Sequence, residues 1–148
     1  MKALILGVAL SILSQLTWAQ GEQKQSFNNI EVHYMLLNST ALDVKVAEAY
    51  DIARSGRLGF VMVSVLEIMP GKPLPQPIPA IIEARFKNLL GQQQTIVLSE
   101  VREQDGLYYV GTFRFDNEDI YRFEFDVKTT ADQGAPYEVR HQQRMYFE

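Results

Sequence analysis

Residues 120–128, IYRFEFDVK, carry an apolar side chain at every second position: Tyr121, Phe123, Phe125 and Val127 alternate with Arg122, Glu124 and Asp126. A period of two belongs to an extended strand with one buried face, and an α-helix cannot gather that pattern on one side. The alternation recurs. Residues 27–37 set Ile30, Val32, Tyr34 and Leu36 on one parity and Glu31 and His33 on the other. Residues 80–88 oppose Ile82, Ala84 and Phe86 to Glu83, Arg85 and Lys87. Residues 58–68 are almost wholly apolar, as a central strand covered on both faces would be. Residues 95–102 and 107–115 flank Asp105-Gly106, a strong hairpin signal, and residues 137–147 close the series.

One short helix is expected over residues 43–50, with Asp43 as N-cap and Val46, Ala47 and Tyr50 on one face. Residues 70–79 hold five of the six prolines and read as a connection, because proline withholds a backbone donor. Seven strands with turn signals between them predict an all-β chain. The architecture indicated is an immunoglobulin-like antiparallel β-sandwich, with a small β-barrel as the alternative.

The sequence has no cysteine, so packing alone must hold the fold, and thiol redox chemistry, a Cys nucleophile and Cys-ligated zinc are excluded. Residues 1–19 read as a cleaved secretory signal. Lys2 supplies the positive start, residues 3–13 an apolar run too short to span a bilayer, and Thr17 and Ala19 the small residues of a cleavage site. Gln20 stands where a lipoprotein needs cysteine, so residues 20–148 are expected as one exported β domain. Without Lys2 that domain has 13 basic and 18 acidic residues, a net charge of −5, which argues against nucleic acid or an anionic membrane as partner. No second apolar run approaches the ~20 residues of a membrane span.

Candidate chemistry is sparse. His33 sits on the polar parity beside Glu31 and reads as an exposed strand residue, whereas His141 shares the parity of Tyr137, Val139 and Met145 and reads as a core or edge histidine. The acidic turn Asp116-Asn117-Glu118-Asp119 offers oxygen ligands, making Asp116, Glu118 and Asp119 the metal candidates, although the spacing of an EF-hand loop is missing. Asn38-Ser39-Thr40 fits a glycosylation acceptor and also a strand-ending turn. No G-x-S-x-G elbow or Gly-rich phosphate loop occurs, no cofactor motif is present, and the carboxylate pairs Glu100/Glu103 and Glu124/Asp126 lie where exposed strand charges lie. Nothing assembles a catalytic site. Tyr108, Arg114, Arg122, Arg140, Arg144 and Tyr146 fall on outward parities and would form an interaction face if their strands shared a sheet. Gly111, inside a strand, marks a bulge or a close backbone approach.

Several phrases together resemble a known family: VHY at 32–34, NST at 38–40, VAEAY at 46–50, NLLGQQQ at 88–94 and YYVGTFRF at 108–115. The chain is similar to the exported proteobacterial family designated domain of unknown function 4426. That resemblance implies a Gram-negative periplasm and a β fold, and it brings no catalytic or binding residues. The function expected is a non-enzymatic protein-binding or accessory module that engages a partner or a second copy of itself. The alternative is a small-ligand or metal-binding domain, with hydrolytic activity as its furthest form, using a pocket between the sheets or the turn at 116–119. Mass spectrometry of the exported protein should find Gln20 as its first residue; an intact Met1 in the envelope fraction would contradict the leader.

Overall fold

Two antiparallel sheets lie face to face in the computed structural model, which describes residues 23–130 and 133–148. The expected leader and part of the turn before residue 137 fall outside the described residues. The strands are β1 (Gln23–Phe27), β2 (Ile30–Asn38), β3 (Leu58–Glu67), β4 (Gln76–Pro77), β5 (Ala80–Asn88), β6 (Gln93–Ile96), β7 (Ser99–Glu103), β8 (Gly106–Arg114), β9 (Ile120–Thr129) and β10 (Tyr137–Arg144). One sheet has the order β1-β2-β3-β8-β7, with β4 added beside β3; the other has the order β10-β9-β5-β6. Neither closes into a barrel, so the sandwich holds and the barrel alternative does not.

The core follows the alternation. Phe123, Phe125 and Val127 of β9 are fully buried, facing Val32 and Tyr34 of β2 and Val61, Val63 and Val65 of β3. Phe86 and Phe123 are cross-strand partners whose rings stack 5.7 Å apart, and Phe113 reaches from the other sheet to within 5.1 Å of Phe86 and 5.0 Å of Phe123. Tilted and edge-on contacts of this kind add about 0.5–1.5 kcal/mol each beyond the area they bury. Gly59 makes room for them, because a Cβ there would run into the Phe113 ring.

Three expectations are corrected. The first strand is two, because Asn28 turns the chain at φ 55 and folds β1 back along β2. Residues 95–102 also divide: β6 pairs with β5, the chain crosses between sheets at Val97 and Leu98, and β7 then pairs with β8. Apolar residues on both sides of that crossing hide it from a pattern search. The proline-rich connection contains β4, whose Pro77 lies opposite Leu66 while the Ile78 amide donates to the Val65 carbonyl at 2.9 Å. A two-residue edge strand tolerates the missing proline donor.

Residues 39–55 fold back over the outer side of the six-stranded sheet. A 3₁₀ turn (Ser39–Ala41) leads to α1 (Val44–Ala49), where the Asp43 carboxylate accepts the Lys45 amide at 2.9 Å, as the N-cap reading anticipated. Fully buried Ser39 closes the excursion, its Oγ donating to the Ser55 carbonyl at 3.1 Å and accepting the Ser55 amide at 2.8 Å. The Tyr50 hydroxyl donates to Glu103 on β7, and this bond pushes the phenol's pKa up to about 12. The segment thus spans from β2 to the far edge of the sheet. Phe60 and Val110, which point outward, are buried together with Ala47.

The crossover explains Gly111, whose added Cβ would lie 2.6 Å from the Val97 carbonyl oxygen. Gly111→Ala should therefore cost about 1–3 kcal/mol, the usual penalty of overpacking, read as a lower urea midpoint; an unchanged midpoint would show that the crossover yields freely.

Candidate functional site

The uncovered part of the outer face begins where β1 and β2 meet. Register sets His33 opposite Ser64 and Met35 opposite Met62, so the two thioethers are cross-strand neighbours one step along β2 from the imidazole. Directly opposed side chains have Cβ atoms about 4.5–5.5 Å apart. His33, Met62, Ser64 and Tyr108 from three adjacent strands, together with Tyr34, line a cleft of about 30 Å³. That is room for one water or one ion.

Glu31 organises the imidazole. Its Oε2 lies 2.9 Å from His33 Nε2 and its Oε1 lies 3.1 Å from Lys24 Nζ on β1. The hydrogen bond to His33, then the one to Lys24, hold this carboxyl below its ordinary value of 4.5 against the opposing effect of burial. An ionised carboxylate at Nε2 calls for a proton on that nitrogen. His33 is not the exposed strand residue its parity implied: its side chain is 18% accessible and that of Glu31 is 11%. Parity alone misplaces it, because it assumes that an outward face meets water.

His141 lies elsewhere. It is opposite Phe123 on edge strand β10, facing the sandwich, with Nδ1 3.4 Å from the Tyr34 hydroxyl and the rings edge-on at 5.4 Å. The two histidines do not share a site.

The acidic turn is occupied with structure. Asp119 Oδ1 accepts the Ile120 amide at 2.9 Å, Asn117 Oδ1 accepts the Phe147 amide at 2.8 Å, and Glu118 adopts φ 62. The turn anchors the C-terminal segment, and among the described residues no three His, Asp or Glu side chains gather as a metal site there or elsewhere, so Asp116, Glu118 and Asp119 do not form one. Asn38 is also spoken for. It is buried, and its Nδ2 donates to the Tyr146 carbonyl at 2.8 Å, so the acceptor pattern at 38–40 is part of the fold.

The residues of the expected interaction face are separated. Arg122, Arg140 and Arg144 share the outer face of the four-stranded sheet, whereas Tyr108 and Arg114 lie on the opposite outer face of the sandwich and Tyr146 lies beyond β10. Arg122 Nε donates to Gln142 at 3.2 Å and Arg140 pairs with Glu138 at 3.2 Å. Beside them Arg85 bridges Glu124 and Asp126, each at 2.7 Å, and Lys87 meets Glu124 at 2.9 Å. This network lowers the Glu124 pKa, through Lys87 first, and raises that of Arg85, through Asp126 first. Arg85, Lys87, Glu124 and Asp126 thus form a mutually neutralising set.

The model of the family described as "Domain of unknown function (DUF4426)" matches residues 24–148. The chain belongs to the DUF4426 family. A crystal structure of a DUF4426 protein from Pseudomonas aeruginosa PAO1 superposes with a TM-score of 0.72 at 25% identity, covering 88% of this chain and 99% of that one. FetP of uropathogenic Escherichia coli strain F11, recombinantly expressed in the periplasm, shares the fold with a TM-score of 0.60 at 13% identity over 85% of this chain and 94% of its own. A copper-bound variant of Campylobacter jejuni P19 follows with a TM-score of 0.56 at 14% identity, over 83% and 94% of the two chains. A search of curated proteins finds no match. Among the described residues no helix is long and apolar enough to cross a membrane.

The depressed carboxyl on β9 makes a pH prediction. A group whose folded pKa lies below its unfolded value stabilises the fold above the unfolded value, near 4.5, and that contribution is lost as pH falls through the folded pKa. Glu124→Gln should cost about 1–2 kcal/mol at pH 7, between the figures for exposed and buried pairs. It should also flatten the loss of stability below pH 4.5 in urea titrations; an acid limb as steep as that of the parent would rule the network out as its source.

Proposed function

We propose that this DUF4426 protein is a non-enzymatic metal-binding module of the cell envelope, with copper as its cation and the outer face of β2 and β3 as its site. The observation that carries the reading is the convergence of one imidazole and two thioethers at adjacent register positions, His33, Met35 and Met62, beside a cleft of about 30 Å³. Imidazole and thioether are copper donors, whereas calcium and magnesium call for oxygen.

The donor set fits the group. His33 would supply its imidazole, with Glu31 at Nε2 as a carboxylate that fixes the ring's orientation and raises its basicity. Met35 and Met62 would supply sulfur, and Ser64 and Tyr108 would close the cleft. Copper-bound variants of P19 and of FetP, which share the fold, support the choice of cation. The leader read in residues 1–19 supports an envelope location. Protein docking lacks comparable support, because the arginines and tyrosines that would serve it are divided between opposite faces.

Elemental analysis after exposure to excess copper and gel filtration tests the reading. Close to one copper per chain is expected for the parent, and His33→Ala should weaken binding by about 10–100-fold while leaving the fold unchanged by circular dichroism. Retention of no copper, whether offered as Cu(I) or as Cu(II), would reject it.

A further inference from the structure

Resting on that reading, we infer that the site is selective for the cuprous ion, Cu(I), over Cu(II) and zinc. Two of the three donors brought together by the register are thioethers, Met35 and Met62, which are soft, neutral ligands. Zinc sites draw on cysteine, histidine and carboxylate donors and close tetrahedrally; the chain contains no cysteine, and among the described residues no three His, Asp or Glu side chains gather. Cupric ions favour tetragonal nitrogen and oxygen sets, which a single imidazole does not supply.

Charge points the same way. Both oxygens of Glu31 are engaged, one by Lys24 and one by His33, so the carboxylate that orients the imidazole already has a cation beside it. The three donors that would meet an incoming ion, one imidazole and two thioethers, are themselves uncharged. A soft monocation loses least in such a place, because its bonding to sulfur does not depend on opposite charge, whereas a divalent ion would forgo the anionic ligands that offset its dehydration. The donors are also partly sheltered: Met35 and Met62 are half-buried and Ser64 is buried, and restricted water access favours the less strongly hydrated oxidation state.

Competition under nitrogen tests the inference, with Cu(I) presented as its bicinchoninate complex and Cu(II) and Zn(II) as their sulfates, each offered to the exported, processed protein. One equivalent of Cu(I) should leave the chelator, and the two divalent ions should bind at least about tenfold more weakly. X-ray absorption at the copper edge should show sulfur in the coordination shell. Met35→Leu with Met62→Leu keeps the apolar volume, so the urea midpoint should stay close to that of the parent while cuprous affinity falls by about tenfold or more. Zinc or cupric ion held as tightly as Cu(I), or a shell of nitrogen and oxygen alone, would overturn the selectivity and leave copper binding standing. Binding of copper in neither oxidation state would remove both.

Discussion

Packing of β9 against the opposite sheet is the constraint on which the rest of the molecule depends. Phe123, Phe125 and Val127 have no accessible surface, and their neighbours Val32, Val61, Val63 and Val65 are as deeply enclosed. Burying each such side chain contributes about 1.5–3 kcal/mol, and the chain has no disulfide to make up a shortfall. Phe86 and Phe113 reach the same aromatic cluster from β5 and β8, so both sheets meet at one patch of rings. Glycine at position 59 is part of that arrangement, since the Phe113 ring occupies the space its side chain would take.

A second, smaller layer decides what the outer face can do. Residues 39–55 cover Phe60 and Val110, leaving Glu31, His33, Met35, Met62 and Ser64 partly sheltered beyond the covered end. There the bonds from His33 and then Lys24 draw the Glu31 carboxyl's pKa down against the opposing effect of burial. An open sheet face would present the same residues as solvated side chains, with the weak pairing typical of exposed ions.

Much of this was legible in the residues. The alternation in 120–128 and 80–88 gave β9 and β5 within a residue at each end, Asp43 capped the helix as its side chain allows, and Gly111 marked a close approach. Pairing information was not legible. Nothing in the string says that Met62 sits across from Met35, that β6 and β7 belong to different sheets, or that Asn28 turns the first strand back on itself. The candidate site shows the consequence. His33 and Met35 could be placed on one parity from sequence, but Met62, Ser64 and Tyr108 joined them only through registers fixed at long range. The Arg and Tyr face failed to assemble for the same reason, because parity assigns a side of a strand and leaves open which sheet the strand joins.

Strand β4 contributes more than its two residues suggest. β8 runs beside β3 from Leu58 to Val63, and β4, with the Ile78 amide, takes over from Val65 to Glu67. The most apolar strand of the chain is thereby flanked along nearly its whole length, and Pro77 presents no N–H outward from the patch that does the flanking. A protein that folds without crosslinks would otherwise offer that strand's bare backbone to other chains. The prolines act as a guard against fibrous self-association at the moment when the chain is most vulnerable to it.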